Sequence, residues 1–270
     1  MQLIPSVSMA YETLLLETDQ NIAVLTLNRP KVLNALNAAL LRELDEAIQS
    51  LASDAAVRVI LLRGTGGKAF AAGADIAELA EADAAIGQEL AARVQRLFRS
   101  IEALGKPVLA CIDGYALGGG CELAMACTLR LANPAARFGQ PEIKLGLIPG
   151  YGGSQRLPRL VGRGAALKLL LTGGVIDAAE ALRIGLIDEL VEGDSEALLA
   201  RAFDLARSIA AMPSLAVSAA IEAVDRGADL TLENALALEA KIFGRLCETD
   251  DKREGTRAFL EKRTPVWTGR

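Results

Sequence analysis

Histidine is absent from this 270-residue chain. That removes the commonest general base near neutral pH and leaves proton transfer to carboxylates, Lys, Tyr or Cys. It also excludes mixed Cys/His zinc sites, and the four cysteines, Cys111, Cys121, Cys127 and Cys247, form no C-x-x-C pair. Reduced thiols in a cytoplasmic protein, with no metal and no cofactor, are the expectation. An excess of positive charge is missing too: the net charge is −5 and the pI near 5.1. This opposes broad attraction to nucleic acid or anionic lipid and leaves room for a local basic pocket that takes a small anion. The first twenty residues have neither a cationic segment before a long apolar run nor an Arg-rich amphipathic pattern, so no signal or transit peptide is expected. Residues 108–129 would tempt a hydropathy scan. However, glycines interrupt them, and Asp113 and Glu122 would each cost about 3 kcal/mol at a bilayer centre, so they read as buried interior.

What is present is apolar. Hydrophobic residues reach 51% and mean hydropathy is +0.29, more than a solvated monomer needs even after allowing for the many alanines, so oligomerisation is expected. Residues 11–17 and 22–27 read as a strand hairpin around a polar turn, followed by the breaker Asn28-Arg29-Pro30. Asn37 caps a helix whose apolar positions Leu40, Leu41, Leu44, Ile48 and Leu51 follow the 3.6-residue period. Residues 57–62 form a short, continuously apolar run suited to a strand buried on both faces. A second amphipathic helix over 88–104 stops at Gly105-Lys106-Pro107 before a strand over 108–112. Residues 141–164 are punctuated by Gly and Pro, and 178–184 and 196–211 again read as helical. After Pro213 only helical patterns remain. The expected architecture is an α/β core over residues 1–212 and a helical region over 213–270, with no internal repeat of fixed period.

Three turns carry the chemistry-bearing residues. In Leu117-Gly118-Gly119-Gly120-Cys121-Glu122 the glycines allow close backbone approach and free helix-start amides, which suits an oxyanion; equally, they make a tight turn whose glutamate complements a helix dipole. Phe70-Ala71-Ala72-Gly73-Ala74-Asp75 offers a second free amide, or simply an Asp N-cap after a glycine turn. In Gln140-Pro141-Glu142 the proline suits a first helical position, and Glu142 is either a cap or a second working carboxyl. Gly150, Gly152 and Gly153 leave more backbone exposed. With no histidine present, Glu122 and Glu142 are the natural acid–base pair.

Taken together, these stretches resemble the crotonase (enoyl-CoA hydratase/isomerase) superfamily, and most closely its enoyl-CoA hydratases. The resemblance runs through residues 28–37, 69–76, 106–126, 136–157 and 249–263, and it is most specific in GYALGGGCELAMAC and FGQPEIKLGLIPGYGGSQRL. It implies a crotonase-like spiral of ββα turns forming two sheets, with C-terminal helices that assemble trimers, usually paired into hexamers. It further implies catalytic roles for Glu122 and Glu142, oxyanion-hole amides at Ala74 and Gly119, and a water-positioning backbone at Gly150. Coenzyme A contacts are implied at Lys31, Ala72, Asp75 and Ile76, and Phe259 and Lys262 are expected to reach a neighbouring subunit's CoA.

The chemistry implied is attack of water at C3 of a 2-enoyl thioester, with the developing charge on the thioester oxygen held by two amides while C2 gains a proton. Following the family, Glu122 is the base and Glu142 the donor to C2. Two departures stand out: Thr128 occupies a position where many relatives carry Asp, and Tyr151 lies within PGYGG, where it either shapes the acyl end of the pocket or packs under the loop. The rivals are a Δ3-Δ2 enoyl-CoA isomerase, which needs one carboxylate, and an RNA-binding relative. The latter is disfavoured by the negative charge and by a helix over 38–51 with one Arg against three acids.

Overall fold

The computed structural model describes residues 11–270, so the N-terminal targeting expectation rests partly on residues outside that range. The chain opens with a hairpin of β1 (Leu14–Asp19) and β2 (Ile22–Leu27), turned through Gln20 at φ 54°. Next comes α1 (Ala38–Ser53), where the Asn37 side chain accepts from the Leu40 amide at 3.0 Å, a cap worth about 1 kcal/mol. Then follow β3 (Val59–Gly64), β4 (Ala69–Ala71), α2 (Ile76–Ala80), α3 (Ala84–Glu102), β5 (Val108–Ile112), β6 (Tyr115–Leu117) and α4 (Gly119–Met125). The chain continues through β7 (Leu129–Ala132), β8 (Arg137–Gly139), a 3-10 turn over Pro141–Leu145, α5 (Gly153–Thr172), β9 (Val175–Asp177), α6 (Ala178–Arg183) and β10 (Glu189–Leu190). Four helices close it: α7 (Ser195–Ala210), α8 (Ser214–Gly227), α9 (Leu232–Cys247) and α10 (Asp250–Glu261).

The strands form two sheets, β1-β2-β3-β5-β7-β10 and β4-β6-β8-β9. Successive strand pairs β3/β4, β5/β6 and β7/β8 send one strand to each sheet, and each pair is followed by helical structure. This is a ββα spiral, and no sequence period announces it because each turn carries different residues and loop lengths.

The larger sheet is covered on both faces. On β3, Ile60 and Leu62 enter the main core with α1 and α3, whereas Val59 and Leu61 pack with Leu198, Ala202, Phe203 and Ala206 of α7. Strand alternation thus buries every position of the run, at roughly 2 kcal/mol per large aliphatic side chain. Residues 108–129 are mostly interior, as their composition requires, with Tyr115 and Thr128 the exposed exceptions. Among the described residues no single helix is long and apolar enough to cross a membrane.

Residues 77–87 are largely α2 and the start of α3, each helix capped by an aspartate side chain, Asp75 or Asp83. The punctuated region 141–164 contains the first half of α5, which carries Pro158 within it and breaks at Gly162 (φ 75°, ψ 159°). That glycine absorbs the bend a continuous helix could not make.

Candidate active site

Asn34 is fully buried and staples residues 29–36 to the sheet. Its Oδ1 accepts from Arg29 N at 2.9 Å, and its Nδ2 donates to Ala69 O at 2.8 Å and Thr65 O at 3.1 Å. The stapled segment then pairs with the turn after β4. Leu36 N donates to Gly73 O at 2.8 Å and Asp75 N donates to Leu36 O at 3.0 Å, in a parallel bridge centred on Leu36 and Ala74. Such a bridge engages the residues on either side of Ala74 and turns the N–H of Ala74 itself the other way. Among the described residues that amide has no partner. Gly73 adopts φ +106°, which only glycine takes without strain.

The second amide comes from the start of α4. Gly118 N donates to Gly139 O at 2.9 Å, and the chain swings through φ +49° into the helix. Gly119 is the first helical residue, so its N–H has no intrahelical acceptor. Close packing fixes its position: a Cβ added to Gly120 would stand 2.0 Å from Ala71 O, and one added to Gly119 would stand 3.4 Å from Ala74 N. The free amides of Ala74 and Gly119 therefore occupy one neighbourhood, brought there by adjacent turns of the spiral.

Glu122 lies three residues after Gly119 on the same face of α4. It is 1% exposed, and its Oε1 accepts from Tyr151 N at 2.8 Å and Gly153 N at 2.6 Å. Burial, the largest influence, pushes its pKa up to about 7; the Gly153 amide pulls it down, the Glu142 charge raises it, and the Tyr151 amide and Arg156 lower it. Glu142 follows Pro141 in the 3-10 turn and reaches back to the other side of Gly118. A Cβ at Gly118 would meet Glu142 Oε1 at 2.6 Å, so a side chain there would fill the carboxyl's place. Burial raises the pKa of Glu142 as well, and its Oε2 is buried without a hydrogen-bond partner among the described residues. Two carboxyls with raised pKa values thus flank the Gly118–Gly119 turn, close enough for one to feel the other's charge.

The whole chain can be placed by comparison with known proteins. Residues 17–270 match the enoyl-CoA hydratase/isomerase family. The chain belongs to that family. It is 47% identical over 255 residues to a crotonyl-CoA hydratase of Syntrophomonas wolfei subsp. wolfei, covering 94% of this chain and 97% of that one. It is 44% identical over the same length and shares to a short-chain-enoyl-CoA hydratase of Clostridium acetobutylicum. A crystal structure of enoyl-CoA hydratase from Bacillus anthracis superposes with a TM-score of 0.91 at 37% identity, covering 96% of this chain and all of that one.

In this family member the remaining expected residues lie in three places. Gly150 is half-buried against α3, its carbonyl accepting from Gln95 Nε2 at 2.8 Å, and it immediately precedes the turn whose amides hold Glu122. Lys31, Ala72, Asp75 and Ile76 are gathered along one edge, because Ala72 N donates to Leu33 O at 3.0 Å and so lays residues 31–36 beside 72–75. Lys31 and Ile76 are exposed there, while Asp75 caps α2 and pairs with Arg29 at 3.3 Å. Phe259 and Lys262 lie far along the chain at the end of α10, which packs on α9, and Phe259 is 83% exposed.

Both departures acquire a structural account. Thr128 Oγ1 accepts from Val108 N at 3.0 Å, so a neutral hydroxyl serves the first amide of β5. The Tyr151 ring is buried and meets Phe98 edge-on at 6.1 Å, and it also stands 3.0 Å from where a Gly119 Cβ would lie. It therefore packs under the loop and borders the amide pair at once. The sequence reading missed the amides of Tyr151 and Gly153, the buried Gln140 beside Gly118 O, and the Arg156–Glu102 pair. Gln140, Tyr151, Gly153 and Arg156 all sat in text already singled out, but no local pattern marks what they do, since each acts through a partner on another turn of the spiral.

Proposed function

We propose that this enzyme adds water across the 2,3 double bond of a 2-enoyl-CoA thioester to give a 3-hydroxyacyl-CoA, with the Ala74 and Gly119 amides receiving the thioester oxygen. The observation that carries this reading is the convergence of two unpartnered amides with two carboxyls of raised pKa, one buried and one half-buried. As C3 is attacked, negative charge moves onto the thioester oxygen, and two fixed N–H donors stabilise it by about 3 kcal/mol each. Glu122, held by two amides through one oxygen, takes the proton from water, and Glu142 gives a proton to C2. Gly150 helps to orient the water. Mutual repulsion keeps the pair from ionising together, so one carboxyl is charged while the other carries the proton. The reaction as proposed uses no metal and no redox cofactor, and CoA enters as part of the substrate.

The edge formed by Lys31, Ala72, Asp75 and Ile76 takes the CoA moiety in this reading, with Lys31 facing phosphate. A short acyl chain is proposed, supported by relatives named for crotonyl-CoA and short-chain enoyl-CoA and by the Tyr151 ring beside Gly119. A panel of 2-enoyl-CoAs of increasing length plus one 3-enoyl-CoA tests both points. The expected order is fastest hydration of the four-carbon 2-enoyl thioester, with slow or no conversion of the 3-enoyl one. Rapid 3-enoyl conversion with no hydration would replace the assignment by an isomerase.

Assembly as a homotrimer, or a hexamer of paired trimers, is part of the proposal. Val224, Leu232, Phe243, Phe259 and Leu260 on α8–α10 are each about seven-tenths exposed or more, more large apolar surface than a solitary soluble chain presents. In a trimer Phe259 and Lys262 would approach a neighbour's CoA. Light scattering on the purified protein is expected to give three or six chain masses; a monomer mass would remove this part. Cytoplasmic residence rests on the four unpaired cysteines, and neither nucleic acid nor a membrane is a proposed partner.

A further inference from the structure

Glu122 depends on the turn 150–153, and α3 grips that turn at two points. Gln95 holds the Gly150 carbonyl at 2.8 Å. Glu102, in the last turn of α3, receives the planar fork of Arg156 from the start of α5, with Nε to Oε1 at 2.5 Å and Nη2 to Oε2 at 3.0 Å. The third guanidinium nitrogen, Nη1, donates to Tyr151 O at 3.0 Å. Tyr151 therefore has its carbonyl fixed by Arg156 while its own amide, with that of Gly153, donates to Glu122 Oε1. Gly152 makes this closure possible: at φ +111°, a Cβ there would stand 2.1 Å from Arg156 Nη1. Both side chains of the pair are mostly buried, at 16% and 20% exposed, a setting in which a bidentate fork is well determined.

We propose that Arg156, clamped by Glu102, is a positioning residue for Glu122: it fixes the Tyr151 carbonyl so that two backbone amides stay on one carboxylate oxygen and the other oxygen is presented to the reacting water. This rests on the acid–base reading of Glu122 given above. The second oxygen of Glu122 has no hydrogen-bond partner among the described residues, as the role requires. Arg156 also favours the charged form of Glu122, against burial and Glu142. The other titratable groups facing Glu122 are the Tyr151 phenol and the Cys121 thiol, both held neutral by burial, each pushed up to about 12. Glu102 in turn faces Arg99 at 3.3 Å and Asp225 of α8. Residues that hold a working group from behind commonly matter by one to two orders of magnitude.

The test compares Arg156→Gln, Arg156→Lys and Glu102→Gln with the native enzyme, measuring kcat, KM and the pH dependence of kcat/KM for crotonyl-CoA hydration, with urea midpoints to report folding. Arg156→Gln is expected to lower kcat roughly 10- to 100-fold with KM little changed. It should also move the acidic limb of the profile to higher pH, because a cation that favours ionised Glu122 is gone. Arg156→Lys keeps the charge without the fork, so it should hold the limb in place while losing part of kcat. Glu102→Gln should lower kcat with no upward movement of the limb. Native kcat and an unmoved limb in Arg156→Gln, with only the urea midpoint lowered, would reduce the pair to a structural staple and overturn the proposal. If Arg156→Gln does not fold, native kcat in both Arg156→Lys and Glu102→Gln would overturn it equally. Glu122→Gln, assayed alongside, separates the two levels: full activity there sinks the reading of Glu122 itself, whereas an inactive Glu122→Gln with a native-like Arg156→Gln sinks only the clamp.

Discussion

Replacing Glu122 by glutamine is expected to lower kcat for crotonyl-CoA hydration by about 10³-fold while KM changes only a few-fold, a loss in the range of removing a general acid or base. The substitution is conservative to the fold. The amide oxygen introduced by Glu122→Gln can still accept from Tyr151 N and Gly153 N, the two bonds that seat the native carboxylate, so what disappears is the proton-accepting function. Glu142→Gln is expected to cause a similar loss. Because the two carboxyls act as a unit in one addition of water, the double variant should be scarcely worse than either single one.

The pH dependence gives the sign. Glu122 must be ionised to act as a base, and its pKa stands at about 7 through burial, helped by the Glu142 charge; kcat/KM should therefore fall as pH drops through this region. In Glu142→Gln that charge is gone, so the residual activity should keep its acidic limb at lower pH than the native enzyme. Loss of conjugated thioester absorbance measures all of these rates. Full activity in either single variant would remove that residue from the mechanism.

A second large effect is expected from Gly119→Pro, which deletes one of the two proposed oxyanion donors. Precedent for losing a single such donor is about 10²- to 10³-fold in kcat. Proline suits the first position of a helix, where its missing N–H breaks no helical bond, so the secondary structure of α4 should survive, as circular dichroism will report. The ring also adds atoms in a tight place, since a Cβ at this position meets the Tyr151 ring at 3.0 Å and Ala74 N at 3.4 Å. Gly119→Ala separates the two causes: it crowds the ring but keeps the N–H, and should lose less activity than proline. Equal loss in both variants would mean that space, not the donor, is what Gly119 provides.

Much of this molecule was legible before any coordinates. A continuous apolar run such as residues 59–62 requires two covered faces, and α7 supplies the second. Asn37, Asp75 and the Gly118–Gly120 turn mark helix starts through chemistry local to each residue, and the structure caps or begins helices there. The missing histidine directed attention to carboxylates, and the Gly- and Pro-rich turns that hold Glu122 and Glu142 singled out those two. The resemblance carried in residues 106–126 and 136–157 named the family to which the chain belongs, and it implied the spiral that periodicity could not reveal.

The tertiary structure alone decided how those parts act on one another. Ala74 and Gly119 are 45 positions apart in the chain, and their amides meet because β4 and β6 are neighbours and Gly120 lets α4 press against Ala71 O. The raised pKa of Glu122 depends on burial and on groups from three other segments, at 142, 151–153 and 156. Neither the Arg156 clamp on Tyr151 nor the break of α5 at Gly162 has a local signature, because each answers to what another turn of the spiral places beside it. Sequence determines what each residue is able to do through its own backbone preference and chemistry. Which groups are desolvated together is set by long-range packing, and that desolvation is what turns two ordinary glutamates and two spare amides into a candidate catalytic site.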